Sequence, residues 1–331
     1  QQSAISGFDA ANIGALQSSA IAAFDAADIN ALSSSAISGF NAADIGALQS
    51  SAISALSAAD IAALNPSAIS GFDADDITSL QSPAIAAFDA SDMSALQPNA
   101  FAGFTPQDFN ILQPAALANV TPDQLSLLPS DFFVDSNGNT TEAFDTLSNL
   151  SPMALHGLAE EQLQNFDFDH ISSFSDPLIM GELFNNWPAD NASELTADDI
   201  SSIDNLAFIG LKTEHFEQMT PDAISGITLG QFNTLVGVTG QNLTFLDGDS
   251  VDGLAVLSGF SAEQVASLSM DIISSSGFTM DNFSGHLSSD AMADFSFTQI
   301  SNIADPSTAS EFLNNWPADN ASELTADDIS S

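Results

Sequence analysis

The chain has 331 residues but only one basic side chain, Lys212, set against 44 aspartates and glutamates. A protein that grips nucleic acid or an anionic membrane neutralises phosphates with lysine and arginine. With a formal net charge of −43 at pH 7, this chain has almost none to offer, so nucleic acid is excluded as a partner. Cations, neutral surfaces and further copies of the chain remain. Cysteine is absent, so no disulfide holds the fold and the redox compartment is left open. No apolar run approaches the ~20 residues of a membrane helix, and membrane insertion is not expected. The first residues, QQSAIS, carry neither the basic nor the continuous apolar stretch of a signal peptide.

Acidic disordered chains are poor in apolar residues. Here 44% of residues are hydrophobic, only 14% are charged and the mean hydropathy is +0.15, which predicts a folded chain. From Ser3 to Ser130 the sequence divides without a gap into 16 octads: SAISGFDA, ANIGALQS, SAIAAFDA, ADINALSS and onward to DQLSLLPS. The third place is apolar throughout, as in Ile5, Ile13, Ile21 and Ile29. The sixth place mostly alternates Phe and Leu, as in Phe8, Leu16, Phe24 and Leu32, so the larger repeating unit is a pair of octads.

One long helix does not fit this spacing. Eight residues at about 100° each let an apolar stripe drift about 80° per octad and circle the helix. A strand needs period-two alternation, which is missing. Short helices fit. With the seventh place as N-cap, Asp9, Asp25, Asn41, Asp73, Asp89, Thr105 and Thr121 are good caps, and Pro66, Pro98, Pro106, Pro114 and Pro122 fall at the first helical position. DAAD at Asp25 and TPQD at Thr105 resemble capping boxes. All 12 acids before Asp131 then occupy N-cap, second or third helical positions, where the exposed amides of a helix start favour negative charge. Single turns are unstable alone and must stack. The fold expected is therefore all-α: an elongated α-solenoid of short helices, two octads per coil, looser and with insertions after residue 130. About 20 coils at roughly 9 Å each would make a rod on the order of 180 Å long.

Two regions are expected, a regular block over 1–130 and a degenerate continuation over 131–331. Interruptions are placed at Asp131 to Thr141 and Val236 to Asp252, which are rich in Gly, Asn and Asp. The second region carries a longer period. NNWPADNASELTADDISS at Asn185 recurs unchanged at Asn314, and FDFDHISSFSDP at Phe166 is answered by FSFTQISNIADP at Phe295, both at an offset of 129 in the numbering. The repeat phase at both ends suggests a segment of a much longer repetitive protein.

Signals of catalysis are missing: there is no GxSxG, phosphate loop, GxGxxG or SxxK. The expectation is a chain that is not an enzyme and requires no cofactor. His156, His170, His215 and His286 are scattered without metal-ligand spacing. Calcium is the one metal the sequence suggests. Asp135, Asn137, Asn139, Thr141 and Glu142 are closely spaced oxygen donors around Gly138, and Asp247, Asp249 and Asp252 form a second group. Neither is a full EF-hand loop, and a polar turn with Gly at positive φ competes with the first. Trp187 and Trp316 sit in the duplicated NNWP string, either as packed aromatics or as a platform for carbohydrate.

The strings TPQDFNILQP around Thr105 and VTPDQLSLLP around Thr121 resemble the TPxQ-type short helical repeats of very long bacterial exoproteins and adhesin-like surface proteins. The motif is short, though it covers most of the chain. TAL-effector repeats also open Thr-Pro-acid-Gln, but their period is 34 and their charge suits DNA. The resemblance implies a stalk, adhesin or filament protein, extracellular or at the cell surface, that self-associates end to end or laterally. A calcium-, glycan- or surface-binding module, including one for mineral or ice, is the alternative.

Overall fold

A computed structural model describes residues 5–238, 260–279, 292, 295–317 and 320. It divides into two compact units, Gln1–Phe166 and Asp167–Ser331. Among the described residues both are built from short α- and 3₁₀-helices, and the only β-pairing is an isolated bridge between Val134 and Thr140. The all-α solenoid expected from the octads is what the chain forms.

In the first unit each octad gives about one helical turn, for example Ser18–Ile21, Ala26–Ile29 and Ser34–Ile37. Every helix of the octad block starts where the seventh place predicts. Eight corners of this unit, from Asp9 with Asn12 to Thr121 with Gln124, close reciprocal capping boxes. Asp25 is representative: its Oδ1 accepts from the amides of Ala27 and Asp28 at 2.8 and 3.0 Å, while Asp28 accepts from the Asp25 amide at 3.2 Å. The intervening corners are different. At Gln17, Gln49, Asn65, Gln81, Gln97 and Gln113 the side chain makes no cap bond. Gln49 and Asn65 instead donate to the carbonyls of Ala22 and Ser38, 27 residues earlier.

That separation corrects the coil length. Helix Ala10–Gly14 packs on Ser34–Ile37, Ala26–Ile29 on Ser50–Ile53, and Ala74–Ser79 on both Ser50–Ile53 and Pro98–Gly103. Each helix thus lies on the third one after it. A coil therefore holds three octads rather than the two read from the sequence. Two single-turn helices facing each other leave both sides of their core open, whereas three enclose it. The Phe and Leu alternation that suggested a two-octad coil is real, but it records packing along the stack. Phe40, Leu64, Phe88 and Leu112, all at 9% exposure or less, follow one another at coil spacing, large on small. Phenylalanines on adjoining sides then meet edge to face, as do Phe24 with Phe40 at 6.4 Å and Phe72 with Phe88 at 6.2 Å.

Close stacking of backbones sets one further requirement. A Cβ on Gly39, Gly71 or Gly103 would come within 2.2–2.4 Å of the carbonyl oxygen of Ala10, Ala42 or Ala74 in the preceding coil. Only glycine fits there without a shift.

Where the regular octads end, the first unit carries an aromatic cluster, in which Phe109 of the block meets Phe101 and Phe104 of the block and Phe132 and Phe133 just past it at centroid distances of 4.9–6.4 Å. The second unit continues the design with longer helices such as Pro177–Asn185 and Leu229–Val238. Within it the long period is also structural: Phe168–Ser172 and Pro177–Asn185 match Phe297–Ser301 and Pro306–Asn315, and the two Pro helices start behind Asp caps, Asp176 and Asp305.

Candidate functional site

Four buried glutamines among the described residues form a series of staples between coils. At Gln124, third residue of the helix Pro122–Leu125, Oε1 accepts from the Thr121 amide at 2.8 Å, and Nε2 donates to the carbonyls of Met93 and Leu96 at 2.8 and 2.9 Å. One amide side chain thus caps its own helix and ties it to the coil beneath. Gln162 does the same to Leu125 and Leu128, Gln231 to Ile200 and Ile203, and Gln264 to Phe216 and Met219. All four are 3% exposed or less, where an unbonded amide would be costly.

The staples also measure the insertions. Gln124 and Gln231 reach back 28 and 31 residues. Gln162 reaches back 34 and 37, an excess of six, and its coil contains the predicted interruption at Asp131 to Thr141. Gln264 reaches back 45 and 48, an excess of 17, and the interruption expected at Val236 to Asp252 falls between it and its partners in the sequence. Each excess leaves the staple geometry unchanged.

His215 takes the glutamine role in the second unit. Its Nδ1 accepts from the Lys212 amide at 2.9 Å and its Nε2 lies 2.9 Å from the carbonyl oxygen of Trp187. Accepting at one nitrogen and donating at the other requires the neutral ring. Burial at 2% exposure is the main cause that holds its pKa below the usual 6.5, with Lys212 adding to it. Trp187 stacks on this ring at 6.3 Å and 13°, and packs edge-on against Phe184. Being 4% exposed, Trp187 has no open face for a sugar. Trp316 donates from Nε1 to the carbonyl of Phe295. At another corner, His170 Nδ1 accepts from the Asp167 amide at 3.2 Å. His156 follows the helix Pro152–Leu155 as its C-cap, and His286 lies outside the described residues.

Of the oxygen donors singled out for calcium, the structure brings Asp135, Asn137 and Asn139 together through bonds among themselves. Asp135 Oδ1 accepts from the amides of Asn137 and Asn139 at 2.8 and 2.9 Å, and Gly138 turns the chain at φ 76°. Those amides are the leading cause that holds the Asp135 carboxyl below its usual pKa. Thr141 donates to the carbonyl of Phe132 at 2.6 Å, and Glu142 is exposed to solvent. The arrangement closes a polar hairpin turn. Among the described residues there is no group of three or more His, Asp or Glu placed to hold a metal ion. Asp247, Asp249 and Asp252 lie outside the described residues.

The glutamine staples were missed in the sequence, although the signal was present. In TPDQ at Thr121 the box was legible, but Gln has a donor left over after the box is closed, which Asp does not.

In comparison with known proteins, the ALTTAQ repeat family matches residues 21–58, a stretch of the regular block. No curated protein matches the chain. In the described residues, no helix is long and apolar enough to cross a membrane. The 21–58 match and the stacked short helices make this a repeat protein with an all-helical fold.

Proposed function

We propose that the chain is a non-catalytic structural protein of the extracellular space or cell surface, a stack of helical coils that serves as scaffold and associates with further copies of itself. The observation that carries this reading is where the corner side chains are directed. Caps and staples bind the backbone of their own coil or of the one before, so each coil is completed by its neighbour, which is the logic of a solenoid that holds distance. The ALTTAQ match and the resemblance to adhesin-like repeats support it. So does the lone Lys212, which leaves a single bond for trypsin-like proteases.

Electron microscopy and sedimentation of the chain over a hundredfold range of concentration test the proposal. Particles that lengthen or pair with concentration support association. One particle of constant mass throughout refutes it. Repeating the series with a chelator separates association through apolar and polar surfaces, which is insensitive to it, from bridging by divalent cations.

A further inference from the structure

In the regular block the outward places on the first turn of a helix hold small residues, such as Ser34 and Ser35 or Ala26 and Ala27. One edge of the second unit departs from this. Leu178 is the second residue of helix Pro177–Asn185, Leu206 immediately precedes Ala207–Gly210, and Leu229 and Met270 open Leu229–Val238 and Met270–Ile273. All four are 38–51% exposed. Their helices stack in that order: Ala207–Gly210 packs on Pro177–Asn185, Leu229–Val238 on Ala207–Gly210, and Met270–Ile273 on Leu229–Val238. Two close approaches bring first turns into line. A Cβ on Gly210 would stand 2.1 Å from the Gly181 carbonyl oxygen, about one turn past the leucine on each helix. A Cβ on Gly230, next to Leu229, would stand 2.9 Å from Nδ2 of Asn205, next to Leu206. Three steps of roughly 9 Å make the row about 27 Å long.

Carboxylates border this row. Asp176 Oδ1 accepts from the Leu178 amide at 2.9 Å, and Asp204 Oδ1 accepts from the Leu206 amide at 2.8 Å, so each leucine stands beside its own acid. Asp271 follows Met270, and all three acids are exposed. An apolar row rimmed by polar groups marks a docking surface, and here the sign of the rim selects the partner. None of the four helices contains a lysine or arginine. A second copy laid along this edge would therefore set acid against acid, whereas a basic partner would pair with the rim.

We propose that the edge formed by Leu178, Leu206, Leu229 and Met270 docks a basic amphipathic helix, whose apolar face lies on these four side chains and whose lysines or arginines meet the carboxylates beside them.

A helix of about 18 residues spans the row. Binding of this kind places apolar anchors at helical spacing on an apolar surface. Basic side chains on the border lay their stems along the leucines while their charged ends reach the rim.

The test is fluorescence anisotropy of the full chain with a labelled leucine–lysine peptide of that length, patterned to form one apolar face. A scrambled peptide of the same composition measures the attraction of charge alone. The patterned peptide is expected to bind the wild type about tenfold tighter than the scrambled one, or more. Leu178→Ser, Leu206→Ser, Leu229→Ser and Met270→Ser combined should abolish that preference and leave binding of the scrambled peptide unchanged. Asp176→Asn with Asp204→Asn keeps both caps, since asparagine also accepts at a helix start, and should weaken the patterned peptide more than the scrambled one. Equal binding of the two peptides to wild type overturns the proposal, as does a preference that survives in the serine variant or is untouched in the asparagine variant. Sedimentation of the chain without peptide covers the other occupant. Self-association that the serine variant loses, with no preference between the peptides, assigns the edge to a second copy and also overturns the proposal.

Discussion

Replacing Gln124 by alanine isolates the staple. The substitution removes three hydrogen bonds at 2.8–2.9 Å, one accepted from the Thr121 amide and two donated to the carbonyls of Met93 and Leu96, at a site 2% exposed. A hydrogen bond contributes about 1 kcal/mol net, but a buried group left without its partner costs about 1–3 kcal/mol. Water can reach some of the three groups once the side chain is gone, so the expected loss is about 3–5 kcal/mol. Asp123→Ala, one residue away and exposed, removes only a helix-start charge worth about 0.3–1 kcal/mol. Urea unfolding followed by far-UV circular dichroism measures both. With a slope of about 2 kcal/mol per molar, the Gln124→Ala midpoint should fall by about 2 M and that of Asp123→Ala by less than about 0.5 M. Gln124→Glu keeps the acceptor but sets a carboxylate against two carbonyls, and should be at least as destabilising as alanine at pH 7. If Gln124→Ala unfolds within about 0.5 M of wild type, the staple is not what ties the coils.

His215→Gln should preserve the corner of the second unit and remove its sensitivity to acid. With a folded pKa below 6.5, the His215 contribution is fully present above pH 6.5 and is lost as pH falls through the folded value. Wild-type tryptophan fluorescence, which reads Trp187 and Trp316 in this unit alone, should show an acid-induced loss that the variant lacks. Gly103→Ala places a Cβ 2.2 Å from the carbonyl oxygen of Ala74 and should cost about 1–3 kcal/mol in chemical unfolding. Gly138→Ala has open space around it but a φ of 76°, so it should cost about 1 kcal/mol through backbone strain alone, without changing the far-UV spectrum.

The corners were readable because capping is local. Asp25 and Asp28 are neighbours on one helical turn, and both the donors and the acceptors of their box lie within that span. Inward residues such as Ile37 and Phe40 were readable from their spacing of three. Coil length was not, because stacking is a relation between residues three octads apart, and no local pattern has that period. The visible two-octad period came from alternation of Phe with Leu and of box with amide corners, and a two-helix coil explains it as well as a three-helix coil does. For the same reason the second role of Gln124 was hidden: its box partner is three positions away, but its staple partners are 28 and 31 away. The hairpin at Asp135 was legible in both of its readings. Bonds from the amides of Asn137 and Asn139 account for the turn.

Two octads of pattern wound on three octads of coil act as a vernier. Successive corners along one edge of the first unit read Asp25, Gln49, Asp73, Gln97, an acid and then an amide. Third-position acids recur on the same edge only after six octads, as with Asp28 and Asp76, Asp44 and Asp92, or Asp60 and Asp108. Two coils at roughly 9 Å each separate them by about 18 Å, well beyond the ~8 Å screening length at physiological salt. A block without lysine or arginine thus keeps the third-position carboxylates along each edge apart through arithmetic alone. The same arithmetic limits how such a gene can grow. Adding or deleting a single coil would set acid on acid and phenylalanine on phenylalanine at the junction, whereas a step of two coils restores both patterns at once.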